Sequence, residues 1–330
     1  MIIPIVHCFN DNYAAPAGVA FLSMLEHARN DDEYHIYACH SDITHEHQRQ
    51  LMEIVGRFKN AKLEFVDMHN AYEEEFESLN TKGHYSKELI YKMVVPRLFP
   101  QYDRMIIADV DCVYQDDIGQ IYRLCEENDG DYMAGVELLH SNKCNWLLDV
   151  FHIYDDQYTQ EEQRVLKLGL NAGFMIFNLK KMREEDLTSK FLAYFKANVH
   201  RLKQPEQDTI HICCYPKIQS LPTRTMICSY LYTVLEEDEK RVWQSALDNP
   251  IQLHYAAKEK PWNTPSSTKS NIWFSYLLRT SFYDEVMGKL DQYERRTKWK
   301  LFGIPILKIY AYGDVKNVRF LNAIKLKGCK

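Results

Sequence analysis

The chain has 330 residues, enough for one large α/β domain or two smaller ones, and the apolar and charged fractions of a soluble globular protein. A net charge of −6 argues against a general nucleic-acid binder. The nine cysteines are scattered, with no Cys-x-x-Cys pair, which points to a reducing cytoplasm and neither a disulfide framework nor a thiolate zinc site. The first residues lack the basic start and longer apolar run of a secretory leader, and no stretch approaches membrane-spanning length.

Residues 2–8 form an apolar run that reads as a first buried strand, although Pro4 is out of place in a central strand. Asn10-Asp11-Asn12-Tyr13 make a polar turn, and residues 13–27 carry Val19, Leu22, Met24 and Leu25 at helical spacing. The unit has no Gly-x-Gly-x-x-Gly, so a dinucleotide fingerprint is absent. Strands over 34–39 and 62–66 flank a helix over 44–58. Such alternation predicts a parallel sheet with helices on its faces and ligands beyond the carboxyl ends of the strands. An acidic surface helix is expected over 71–79. Another, over 86–98, carries Lys92 and stops near Pro96 and Pro100.

The stretch 105–117 is the most informative. Met105-Ile106-Ile107-Ala108 reads as a buried strand, and Asp109, Val110 and Asp111 follow at its carboxyl end. Two carboxylates so close in apolar surroundings repel each other and need a positive partner. A divalent cation with hard oxygen ligands, Mg²⁺ or Mn²⁺, meets that need. Solvated loop aspartates are the plainer reading of any single Asp-x-Asp.

Beyond it, a strand is expected over 131–137, and the polar, aromatic stretch 141–163 reads as an irregular loop that covers a substrate. Asn171-Ala172-Gly173 then precede an apolar strand over 174–177. Small residues beside an amide let a ligand approach the backbone, though a plain turn has the same composition. Helices follow over 180–183 and 187–201. Pro205, with Glu206, Gln207 and Asp208 behind it, opens a further helix at 209–214, where the acids also serve as capping residues. A strand-like run over 251–255 contains His254, with Ala256, Ala257 and Lys260 after it. A lone His is usually structural. Here an imidazole followed by small residues and a Lys can complete a metal–phosphate site, and it favours Mn²⁺ over Mg²⁺. From Arg295 onward the chain is basic, with Asp314 its only acid, and aromatic and aliphatic residues are interleaved. That composition fits a surface meeting anionic lipid, or an extension packed on the domain with its lysines in water.

Asn10-Asp11-Asn12-Tyr13-Ala14-Ala15, Asp109-Val110-Asp111, Asn171-Ala172-Gly173 with Asn178-Leu179-Lys180-Lys181, Gln207-Asp208, and His254 through Lys260-Pro261-Trp262 occur in this order. The ordered set resembles the retaining glycosyltransferases of family 8, which include bacterial lipopolysaccharide galactosyl- and glucosyltransferases and glycogenin. The resemblance implies an α/β fold of GT-A type over 1–262, a Rossmann-like nucleotide-diphospho-sugar transferase with a mainly parallel central sheet. A basic helical extension over 263–330, attached to the membrane surface, would follow. It implies Mn²⁺, with Mg²⁺ the alternative, on Asp109, Asp111 and His254. Cys8, Asn10, Asn12 and Tyr13 would surround the uridine of a UDP-sugar, and Ala256, Ala257 and Lys260 would lie near its diphosphate. Lys92 and Val110 would complete the contacts to the nucleotide sugar, and Asn171, Ala172, Glu206 and Gln207 would lie at its sugar. Lys92 stands where the family usually has Arg, so a bidentate contact becomes a point charge. Glu206 stands where it often has Asp, so a longer arm meets the same sugar hydroxyl.

The implied activity is transfer of glucose or galactose from UDP to a glycan or glycolipid at the cytoplasmic face of the membrane, with no nucleic-acid partner. Breaking the sugar–phosphate bond puts negative charge on UDP and leaves an oxocarbenium-like carbon. Gln207, Glu206 and Asn171 are the residues expected at that carbon. A neutral Gln207 is a poor nucleophile, which predicts same-face attack. Two rival readings remain: a haloacid-dehalogenase-like phosphatase with Asp109 as nucleophile, although Cys112 replaces the usual Gly, and a non-catalytic nucleotide-sugar binder.

Overall fold

The computed structural model describes residues 1–71, 88–126, 129–137 and 157–296, together with the backbone of four later strands. The strands of the body are β1 (Ile2–Cys8), β2 (Glu33–His40), β3 (Ala61–Asp67), β4 (Arg104–Ala108), β5 (Cys112–Tyr114), β6 (Met133–Glu137), β7 (Leu170–Asn178), β8 (Ile218–Ser220), β9 (Met226–Cys228) and β10 (Gln252–His254). Seven of them form the central sheet in the order β3-β2-β1-β4-β7-β6-β8, and β5, β10 and β9 form a smaller one. β3, β2, β1 and β4 run parallel, while β7 runs antiparallel to both neighbours.

Parallel strands need crossover helices, and Ala14–Glu26 and His45–Val55 supply the first two. Thr44 accepts a hydrogen bond from the His47 amide and so caps the second helix at its start. After β3 the chain returns to the other side of β1 to form β4, and the strand order reverses there. Beyond the carboxyl ends of β1 and β4 this reversal opens a crevice, the usual ligand position in open α/β sheets. β1 begins pairing with β4 only at Ile5, so Pro4 breaks no ladder on that side.

Side chains alternate between two cores. Ile106 and Ala108 of β4 face one, and Met105 and Ile107 the other. Ala14–Glu26 is buried from Ala14 through Leu25 because the body closes over it on every side. Its small residues permit this: a Cβ on Gly18 would lie 2.8 Å from Phe282 Cδ2 and 3.0 Å from Ile54 Cδ1. The helix Ser270–Leu277 joins the same core through Trp273 and Leu277.

Several expectations shift. β7 starts at Leu170, so Asn171-Ala172-Gly173 lie inside the strand rather than before it. The expected irregular loop 141–163 ends in a helix, Gln160–Leu166, opened by a capping box between Thr159 and Glu162. Its part up to residue 156 lies outside the described residues, as does nearly all of the acidic helix expected at 71–79. The extension begins as helices, Ser270–Leu277 and Tyr283–Arg296. Its basic tail is not helical: it forms β11 (Lys298–Leu301), β12 (Ile304–Tyr312), β13 (Val315–Phe320) and β14 (Ile324–Cys329), an antiparallel sheet in sequence order. Alternation such as Lys325-Leu326-Lys327 has a strand's period, not a helix's. No described helix is long and apolar enough to cross a membrane.

Gly18→Val would force Phe282 or Ile54 aside. It is expected to destabilise the fold by about 1–3 kcal/mol in chemical denaturation, and an unchanged midpoint would contradict this packing.

Candidate active site

Two ladders deliver the acids to the crevice. Asp109 follows β4, and its amide donates to the Gly173 carbonyl of β7 at 3.1 Å. Because β7 is antiparallel, its beginning lies beside the end of β4, which brings Asn171, Ala172 and Gly173 to the crevice. Asp111 directly precedes β5, whose antiparallel partner β10 sets His254 opposite Cys112. The Tyr255 amide donates to the Asp111 carbonyl at 2.8 Å and fixes that register.

His254 Nε2 therefore lies 3.0 Å from Asp111 Oδ1 and 3.6 Å from Asp109 Oδ2. Ligand atoms of all three fall within 4.8 Å of one another, the one such cluster among the described residues. Cis ligands on an octahedral ion with bonds of about 2.1 Å stand about 3 Å apart, so the spacing fits a small divalent cation. Two carboxylates and an imidazole are a donor set suited to Mn²⁺. The His254 ring rests on Gly173, where a Cβ would overlap Cε1 and Nδ1.

The protein's own cations neutralise these acids. Lys260 Nζ donates to Asp111 Oδ2 and to the Tyr255 carbonyl, each at 2.5 Å. Burial pushes the Asp111 pKa up, but His254 and Lys260 together hold it well below the usual carboxylate range. Burial likewise pushes the His254 imidazole down, and Asp111 outweighs it and raises the pKa to about 10. A metal ion must displace that proton, so its binding strengthens as pH rises.

Lys92 is 4 % exposed. Its Nζ lies 2.7 Å from Asp109 Oδ1 and 2.7 Å from Glu206 Oε1, and it donates to the Ala172 carbonyl at 3.2 Å. Burial alone would lower its pKa, yet Asp109 and Glu206 raise it above the ordinary value. For Glu206, burial prevails over Lys92 and the pKa rises.

Two adjoining hollows share Lys92, Asp109, Asp111 and Glu206. The first is completed by Cys8, Phe9, Asn10, Tyr13, Glu88 and Val110. Asn171, Ala172, Gly173, Gln207, His254 and Ala256 line the second, with 203–205. Gln207 is held at both ends: its Oε1 accepts from the Ala172 amide at 3.0 Å, and its Nε2 donates to Gln204 Oε1 at 2.7 Å. Lys260 reaches the site through Asp111. Neither Asn12, which is exposed, nor Ala257 lines either hollow. Asp11 braces the turn, accepting from the Thr44 amide at 2.9 Å and pairing with His47 Nδ1 at 2.7 Å. Glu88 was missed in the sequence. Its spacing of four residues before Lys92 on one helix face is the signal that could have found it.

A mainly parallel sheet with acids at its switch point is the architecture of the GT-A type glycosyltransferases. The sequence profile of glycosyl transferase family 8 matches residues 4–265, and the chain belongs to that family. General stress protein A of Bacillus subtilis (strain 168) is 25 % identical over 318 residues, 93 % of this chain and 98 % of that protein. The apo structure of the bifunctional glycosyltransferase WbbM superimposes with a TM-score of 0.70 at 20 % identity, covering 87 % of this chain and 51 % of that one. This chain thus spans about half its length. The galactosyltransferase LgtC, in complex with donor and acceptor sugar analogs, gives 0.62 at 17 % identity, over 85 % of this chain and 96 % of that one. These structures share the fold. Membership of the family displaces the phosphatase reading of Asp109.

Gly173→Ala should displace the His254 ring and weaken Mn²⁺ binding by about tenfold or more in calorimetry. Unaltered affinity with an intact circular dichroism spectrum would refute the role given to this contact.

Proposed function

We propose that the chain is a retaining hexosyltransferase that moves glucose or galactose from a UDP-sugar to a glycan or glycolipid, with Mn²⁺ held by Asp109, Asp111 and His254. The observation that carries the reading is the meeting of these three side chains with Lys92 and Lys260 where two hollows join. The first hollow takes the nucleoside, bounded by Cys8, Asn10, Tyr13 and Val110. The second takes the sugar, against Asn171, Ala172, Glu206 and Gln207. In support, LgtC, which shares the fold, is a galactosyltransferase seen with donor and acceptor sugar analogs.

A divalent cation at Asp109, Asp111 and His254 would supply positive charge to the departing diphosphate. Lys260 adds a second charge from the protein, most useful when the sugar–phosphate bond breaks. Gln207, fixed at both ends, presents a neutral amide to the oxocarbenium-like carbon. The acceptor oxygen bonds to that carbon from the leaving group's own face, and the departing phosphate oxygen takes the acceptor's proton. Asp208 is ill-suited as a nucleophile. Its Oδ2 accepts from Tyr158 Oη at 2.6 Å and from the Gln204 amide at 3.0 Å, and burial lifts its pKa to about 6.

A screen of UDP-, GDP- and CMP-sugars with Mn²⁺ tests this. UDP release from UDP-glucose or UDP-galactose is expected, falling about 100-fold or more in Asp109→Asn, with no glycosyl adduct in the intact-protein mass. Turnover of another nucleotide, or an adduct on Glu206 or Asp208, would contradict it. UDP-sugar binding without turnover would favour the non-catalytic binder.

We place the transferase domain at 1–262, a boundary near the end of the profile match at residue 265. The remainder, 263–330, packs its first helix into the core through Trp273 and Leu277, and its basic part from Arg295 onward is read as an attachment to the inner face of the membrane. Register supports this: Lys298, Lys308, Arg319 and Lys325 fall in one row across β11–β14, and Ile309, Val318 and Leu326 in the next across β12–β14. An anionic surface attracts so basic a segment. Removing residues 295–330 is expected to abolish sedimentation with anionic liposomes, and unchanged binding would refute the attachment.

A further inference from the structure

Glu88 is the buried carboxylate in the nucleoside hollow to which no chemistry is yet assigned. It opens the described part of the helix Glu88–Leu98 and lines the hollow with Cys8, Phe9 and Asn10. An acid in a helix's first turn often serves only the helix dipole in water. Glu88 is 6 % exposed, and its Oε1 accepts from Ser41 Oγ at 2.9 Å.

The other acceptors around this hollow are committed. Asn10 gives its side-chain oxygen to the Asn12 amide. Asp109 and Glu206 pair with Lys92, and Asp111 pairs with His254 and Lys260. Among the described residues no cation pairs with Glu88. Glu88 precedes Lys92 by four positions, about 6 Å along the helix axis, and its partner Ser41 follows β2, which β1 separates from β4 and Asp109. The base is the part of a nucleoside diphosphate farthest from its phosphates.

We propose that Glu88 selects the base of the nucleotide by accepting the N3–H of uracil. This rests on the UDP reading above. Uracil presents an imide N–H between two carbonyls, and a carboxylate is the strongest side-chain acceptor for it. Cytosine presents a bare lone pair at N3, which the same carboxylate repels. Glu88 is then a specificity residue, one helical turn from the lysine that meets the acids.

The test is calorimetric binding of UDP, N3-methyl-UDP, CDP and GDP, each with Mn²⁺, to the full chain and to Glu88→Gln and Glu88→Ala. For the parent, methylation at N3 should weaken binding about tenfold or more, the weight of one hydrogen bond to a charged group, and CDP should bind worse than UDP. Glu88→Ala should bind UDP about tenfold more weakly and lose the methyl penalty. Glu88→Gln keeps a neutral acceptor of nearly the same shape and should keep part of that penalty. The penalty is a ratio within one protein, so a merely structural role for Glu88 would leave it standing. Equal binding of UDP and N3-methyl-UDP by the parent, or a full methyl penalty in Glu88→Ala, overturns the assignment while leaving UDP as the ligand. Binding of GDP but not UDP by the parent overturns the UDP reading and this inference with it.

Discussion

Mutual repulsion between Asp109 and Asp111 is the constraint around which the site is built. Both carboxylates stand at the mouth of a buried strand, Asp111 buried and Asp109 half-buried, where like charges are costly. The chain answers with cations drawn from three distant stretches: Lys92 from a helix, His254 from the end of β10 and Lys260 from the segment after it. Every one is a long-range contact, so the site exists only when both sheets and the helix Glu88–Leu98 are in place.

β7 is the architectural device that makes this economical. A parallel β7 would put Asn171-Ala172-Gly173 beside the beginning of β4, at the far end of the strands from Asp109. Running antiparallel, it sets them next to Asp109, where the Gly173 carbonyl takes the Asp109 amide and Gly173 makes room for the His254 ring. One short sequence thus serves the ladder, the imidazole and the wall of the second hollow. Gln207 ties the helix Pro205–Cys214 to that wall through the Ala172 amide.

Much of this was legible in the residues alone. The apolar run before Asp109 and Pro205 at a helix start are local signals, and each marks a real element. What was not legible is tertiary. Periodicity does not say which way a strand runs, so the direction of β7 was hidden. β5, β8 and β9 have three residues each, too few to show a period. A lysine reads as a solvated charge until its partners are known, and those of Lys92 lie 17 and 114 positions away.

The central claim is that one divalent ion is shared by two carboxylates and one imidazole. Electron spin-echo spectroscopy of bound Mn²⁺ in the presence of UDP, on protein labelled with nitrogen-15 at histidine, addresses it most directly. A single directly coordinated histidine nitrogen, lost in His254→Ala, is the predicted result. A manganese ion with no histidine nitrogen in its coordination sphere would contradict the account.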